Sequence, residues 1–411
     1  MGSGTPPWQS AFTKWAMEDR HSQAYTVLFG SLAEQIVANL NRPSGKPGAP
    51  AYADSRCLGC HTTENPGREQ DHEFVMDGVG CEACHGAAEQ WLARHTATGW
   101  TPMHGMLDTK NAAVRAQQCV QCHVGAGPRG DGATRDVNHD LIAAGHPRLA
   151  FELHSYLQAM PPHWATEKKD KLNEDPLHVW AVGRIVALTA ALELRGERWT
   201  AASTSAPGAH LQPVWPEFAE LDCYSCHRPF QRGEGYHWPV AAKTSSSRKL
   251  GQPTPNVWYE TMMGEVLNDL APDQKIVFGT SEAWYPWDEP KLDAIHTTAG
   301  ALNEIADRLA ISKLVSEQLT TVIGLEKIDT GNWDQAAQAY LAIAALAART
   351  QPTLKKEQQR ELESALAALK AAVQFSANDS AAEPGHFDSP REYSPEAFQA
   401  AFDRLVEMLK D

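Results

Sequence analysis

With 411 residues the chain is long enough for two or three domains with ordinary cores. Its 51 acidic side chains outnumber 36 basic ones, and the formal charge of -15 argues against a nucleic-acid partner. No run of 18 or more uncharged apolar residues is present, so no segment is expected to span a membrane.

The first residues, MGSGTPPWQS, lack the apolar core of a signal peptide. Residues 9 to 40 read as a helix interrupted near Gly30, with Phe12, Trp15, Leu28, Leu32, Ile36 and Leu40 on its apolar face and His21 within it. The stretch 41 to 51, rich in proline and glycine, reads as a loop leading to Cys57-Leu58-Gly59-Cys60-His61. A mostly polar segment containing His72 precedes Cys81-Glu82-Ala83-Cys84-His85, after which Gly86 to Arg94 can form a short helix ending near His95. Met103, His104 and Met106 follow, then Cys119-Val120-Gln121-Cys122-His123 and a turn region, GAGPRGDG.

Within Val137 to Pro162, His139 and His146 are separated by a helix that Gly145 and Pro147 must break. His146 is thereby held extended before a proline, which aims its ring. Residues 176 to 200 look helical, and Leu177 to Leu194, the most apolar stretch, still carries His178, Arg184 and Glu193 and reads as an amphipathic helix. A small-residue loop over 201 to 216 leads to Cys223-Tyr224-Ser225-Cys226-His227, and residues 228 to 290 are rich in aromatics. From 291 alanine, leucine and glutamate dominate, and 294 to 325, 333 to 350, 354 to 374 and 394 to 410 read as amphipathic helices. Gly331-Asn332-Trp333 with Ala336 and Tyr340 resembles part of a tetratricopeptide repeat.

The Cys-x-x-Cys-His signature occurs four times and uses all eight cysteines. A disulfide scaffold or a zinc site does not need a histidine after the second cysteine of every pair, and a thioredoxin-like motif would be expected once. Covalent haem c needs both features: two thiols add to the porphyrin vinyl groups and the adjacent histidine ligates iron. Cys57, Cys60, Cys81, Cys84, Cys119, Cys122, Cys223 and Cys226 are therefore expected to bind four haems, with His61, His85, His123 and His227 as proximal iron ligands. The expected fold is mainly α with extensive irregular loops: a tetrahaem domain over 1–290 and a helical bundle over 291–411.

Four irons need sixth ligands, and His21, His95, His139 and His146 are the candidates, with His154 and His163 in reserve. Ten helical residues rise about 15 Å, so His95 cannot sandwich one iron with His85 and should reach a neighbouring haem. Met103 and Met106 are possible ligands more in keeping with packing. Arg148 suits a haem propionate. His296 and His386 read as surface residues, and His72, between Asp71 and Glu73, suits a solvated loop position as well as a ligand role.

Gly78-Val79-Gly80-Cys81-Glu82-Ala83-Cys84-His85-Gly86, together with Trp15 to Ala24, resembles the tetrahaem cytochrome c-554 family over roughly residues 10 to 150. The resemblance implies that His21 caps a later haem, that His95 is a second distal ligand and that His139 or His146 is another. It also implies that the haem at Cys57–His61 has an open sixth position able to bind a small molecule such as nitric oxide. Family members carry a haem motif before the tryptophan helix, whereas this chain has an extra motif at Cys223.

The expected function is single-electron transfer between redox partners through mainly bis-histidine haems, with no substrate pocket in view. The alternative is a multihaem oxidoreductase acting on a small nitrogen or sulfur compound at one five-coordinate haem. The acidic charge suits partners with a basic docking surface, and haems near both ends would suit a homo-oligomer or larger redox complex. Because thioethers are made outside the cytoplasm in bacteria, a periplasmic or extracellular location is expected, with a secretory signal upstream.

Overall fold

The structure, a computed structural model, describes residues 10–42, 48–63, 75–93, 95, 105–128, 134–164, 175–205, 213–223, 226, 253–270, 288–311, 328–374 and 393–410. Among the expected site residues, His227 lies outside this set, as do His72, Met103, His104 and His386.

The described residues are mainly helical, and their only β pairings are isolated bridges, Ala126 with Arg135 and Leu221 with Pro255. In chain order the helices are α1 (Ala11–Glu18), α2 (Ser31–Asn41), α3 (Ser55–His61), α4 (Cys81–His85), α5 (Ala112–His123), α6 (His139–Ala144), α7 (Leu153–Ala159), α8 (Pro176–Thr204), α9 (Met263–Leu270), α10 (Leu292–Ile311), α11 (Trp333–Thr350), α12 (Lys356–Val373) and α13 (Pro395–Lys410). Two compact units contain them: Met1–Glu174 with Ala181–Glu220 and Pro286–Lys313, and Asp175–Trp180 with Leu221–Tyr285 and Leu314–Asp411. Composition changes at 291, but α10 packs on α5, so the change in composition does not coincide with this division.

Polar caps set the starts of the short helices. Asp54 accepts from the Arg56 N–H at α3, Asn111 from Ala113 and Val114 at α5, Asn138 from Leu141 at α6, and Glu152 from His154 and Ser155 at α7. Each such cap is worth about 1 kcal/mol, enough to matter for helices of one or two turns. The N-terminal helix stops earlier than its apolar pattern suggests. Asp19 is extended, accepts from the His21 N–H and opens a 3-10 turn over Arg20–Gln23; a second turn, Thr26–Phe29, precedes α2. Likewise, residues after Gly86 form turns through residue 93 rather than the expected helix.

α8 corrects the amphipathic reading. It is long and apolar enough to cross a membrane by length and composition alone, but 89% of its most apolar window is buried inside the protein. Val182, Ile185, Val186 and Leu188 are buried on several faces, as are Arg184 and Arg195, so it is a core helix. Gly183 admits α7: a Cβ there would stand 2.4 Å from Leu153 Cβ. At the far end of α8, Arg195 and Arg198 both pair with Glu220, and Arg198 also pairs with Asp136.

In the second unit, α11, α12 and α13 pack together as a small bundle. Ala336, Ala339, Ala342 and Ile343 are buried, as are Leu362, Leu369, Phe398, Phe402 and Leu405. Small residues on α11 let the helices approach, while each large apolar side chain contributes about 1.5–3 kcal/mol. Trp333 Nε1 donates to the Val373 carbonyl at 2.9 Å, fastening the start of α11 to the end of α12.

Candidate haem-binding sites

Three of the four motifs lie in the first unit, each on a helix that ends at its histidine. The i, i+3, i+4 spacing places both thiols and the imidazole on one helical face. All eight cysteines are free thiols. Burial pushes Cys57 and Cys84 up to about 11 and Cys119 up to about 12, so these thiols are protonated in the metal-free chain. Among the described residues no three His, Cys, Asp or Glu side chains are arranged to hold a metal ion by themselves.

What faces the motif histidines discriminates further. His123, at the end of α5, stands opposite His21, with ring centroids 6.1 Å apart and planes at 80°. His85 stands opposite His163, with centroids 6.2 Å apart and planes at 84°. With metal–imidazole bonds of about 2 Å, opposed rings on one metal have centroids roughly 6 Å apart. Both pairs have a separation that would suit two imidazoles holding one metal.

A ligating imidazole normally donates its other ring N–H to a nearby acceptor. His21 Nδ1 lies 2.9 Å from Asp19 Oδ1, His61 Nδ1 2.7 Å from the Ala24 carbonyl and His146 Nδ1 2.8 Å from the Pro147 carbonyl. The His163 ring donates to the Pro161 carbonyl, and His85 Nδ1 is 3.5 Å from Thr109 Oγ1. Carbonyls only accept, so the proton at those rings is on the bonded nitrogen and the other nitrogen is left with its lone pair. Burial, with His163 and His95 nearby, pushes His85 down to about 4, and burial, with His21 nearby, pushes His123 to about 4. These rings are neutral, the form that ligates iron.

The scaffold holds these rings firmly. Trp15 Nε1 donates to the Val79 carbonyl at 3.0 Å and the Val79 N–H to the His21 carbonyl, so the His21 turn is fastened to the strap preceding α4. Lys14 Nζ donates to the Pro162 carbonyl at 2.8 Å, placing His163 beside the same region. Phe151 stacks on His123 at 5.7 Å and Tyr156 meets it edge-on at 4.9 Å. His61 lies close enough to His146 to lower its pKa, after burial, which is the larger cause.

Other expected ligands stand differently. His95 is exposed, its Nδ1 2.5 Å from the Leu92 carbonyl and its ring edge-on to Trp91. The turns after Gly86 keep it there, and, as expected of a residue that cannot share an iron with His85, it is not the ring that meets His85 at 6.2 Å, which is that of His163. His139 opens α6; its backbone N–H is taken by Glu217 and its ring packs against Phe218 at 5.5 Å. Arg148 is half-buried just after His146, and His154 is buried on α7. Cys223 and Cys226 are exposed, with the Cys226 N–H on the Cys223 carbonyl. His163 had a signal of its own: like His146, it adjoins proline, following Pro161 and Pro162.

The set of paired, oriented, neutral imidazoles beside pairs of free thiols fits covalent haem. Residues 8–86 match the family model for cytochrome c554 and c-prime, whereas no curated protein and no solved structure matches the chain. The matched span takes in Trp15, His21 and the motifs at Cys57 and Cys81, and ends one residue after His85. Over that span the chain resembles the cytochrome c554 family of c-type cytochromes, which supports covalently bound haem and a haem-based role in electron transfer.

Proposed function

We propose that the protein carries four c-type haems and passes single electrons between redox partners outside the cytoplasm. The observation that carries this reading is the opposition of His85 to His163 and of His123 to His21 at the separation of two axial ligands. His61 and His146, near one another and each oriented by a backbone carbonyl, form the third pair. When bound, haem iron supplies a one-electron ferric/ferrous couple. The chain's own work is to fix the rings, exclude water and leave no coordination position for a substrate.

His146 beside His61 favours six ligands at the iron where the family resemblance implies an open position. The acidic chain suits partners that present basic surfaces. Extracytoplasmic location is supported by the need for thioether attachment at free thiols.

Low-temperature electron paramagnetic resonance of the oxidised protein, with a nitric oxide titration of the reduced form, tests this reading. Wholly low-spin ferric signals and no nitric oxide uptake are expected. A high-spin component near one haem in four with stoichiometric uptake overturns the pure carrier and supports an oxidoreductase working at one open iron.

A further inference from the structure

Arg135 is 5% exposed and stands between two of the motifs. Its backbone is fastened just beyond the third: Arg135 and Ala126 form a bridge in which each N–H donates to the other's carbonyl at 2.9 Å. Gly125, at φ of +131°, admits this approach, since a Cβ there would stand 2.5 Å from the Arg135 carbonyl oxygen. The side chain crosses to the first motif, where a Cβ on Gly59 would stand 3.1 Å from Arg135 Cγ. Its Nη2 lies 3.4 Å from Gln121 Oε1, in the middle of the third motif. One buried side chain therefore meets the inner residues of both Cys57–His61 and Cys119–His123.

The chemistry of that side chain gives the contact a consequence. A guanidinium keeps its charge at any physiological pH. Inside a protein, where the effective dielectric is far below that of water, a fixed positive charge disfavours whichever state of its neighbour is the more positive. Ferric haem is more positive than ferrous haem, so a cation beside it favours reduction. The two helices that carry Gly59 and Gln121 also carry the thiols Cys57, Cys60, Cys119 and Cys122, so groups attached to them share the same cation. Resting on the proposed reading of these two motifs as haem sites, we infer that Arg135 is a shared potential-setting residue, a cation held between the first and third motifs that raises the reduction potentials of both their haems. Gly59 serves the same end by leaving room for the Arg135 stem.

Attachment and potential are separable by experiment on the full, haem-loaded chain. The masses of the peptides containing Cys57–His61 and Cys119–His123 report haem attachment, and a redox titration monitored by absorbance reports the midpoints. Arg135→Met keeps the start of the stem against Gly59 and removes the charge, a replacement that buried charged sites often tolerate. Arg135→Lys keeps the charge. The expected result is haem on both peptides in all three proteins, with two midpoints lowered in Arg135→Met and all midpoints near their wild-type values in Arg135→Lys. Either peptide without haem in the wild type overturns the reading of the motifs. With haem on both wild-type peptides, any other pattern in the variants, including an equal fall in Arg135→Lys, overturns the role of Arg135 alone. Should Arg135→Met fail to fold, Arg135→Gln decides by the same titration.

Discussion

A Cβ at Gly78 would stand 2.8 Å from the His21 carbonyl oxygen, so the turn before the second motif and the turn carrying His21 are in direct backbone contact. Gly78 has φ of +63°, a region that side chains resist, and the neighbouring Val79 N–H donates to the same carbonyl. Gly78→Ala should therefore cost about 1–3 kcal/mol and displace His21 from His123. The expected readouts are a lower melting temperature and a high-spin contribution in the ferric spectrum. A variant with wild-type values of both would show that this contact does not govern His21.

His163 and His95 give opposite expectations. His163→Ala should expose the iron held by His85, adding high-spin signal and nitric oxide binding at one site. His95→Ala should leave the spectrum low-spin, because its ring is exposed and lies against Trp91. The reverse result would restore His95 as the distal ligand.

Asp19 accepts both the His21 backbone N–H and the imidazole Nδ1 proton, and its hydrogen bond is the main cause that raises the His21 pKa. The carboxylate makes the opposite nitrogen a stronger donor to metal, and such partners are typically worth about 10- to 100-fold in metal affinity. Asp19→Asn should raise the reduction potential of one haem and leave the others in place. Redox titration monitored by absorbance checks this; an unshifted set of potentials contradicts it.

Glu220 sits between Arg195 and Arg198, and Arg198 is further held by Asp136. Burial alone would raise the Glu220 pKa, but the two guanidinium groups outweigh it and hold the carboxyl below its ordinary value. A depressed folded pKa stabilises above the unfolded value, about 4.3 for glutamate, and that stabilisation is lost as pH falls through the folded value. Glu220→Gln should cost about 3–5 kcal/mol at neutral pH by leaving buried guanidinium charge uncompensated. The wild type should also lose stability below pH 4 more steeply than the variant in thermal melts.

The motifs were legible because covalent chemistry fixes residue types at fixed spacing, and the helices 333–350 and 356–373 because their apolar residues repeat with helical period. His21 was legible as a candidate, though not its 3-10 turn, which depends on Asp19 capping within an otherwise continuous apolar pattern. The pairing of histidines was not legible, since it depends on long-range backbone ties such as Lys14 to Pro162. His163 follows a proline pair as His146 precedes Pro147, so both rings are carried on backbone that proline stiffens. α8 misled because Arg184 and Glu193 suggested a wet face, whereas Arg184 is buried in the core.

The two facing pairs interleave along the chain: His21 meets His123, while His85, which lies between them, meets His163. The first unit therefore has no nested order of assembly. As the polypeptide emerges from its amino end, His21 meets the ring of His123 only after α5 has been made, and His85 meets the ring of His163 only once residue 163 has arrived. A fragment ending at residue 150 keeps the partners of the first pair and lacks one of the second. Both ring contacts are therefore in place only when the chain has reached residue 163.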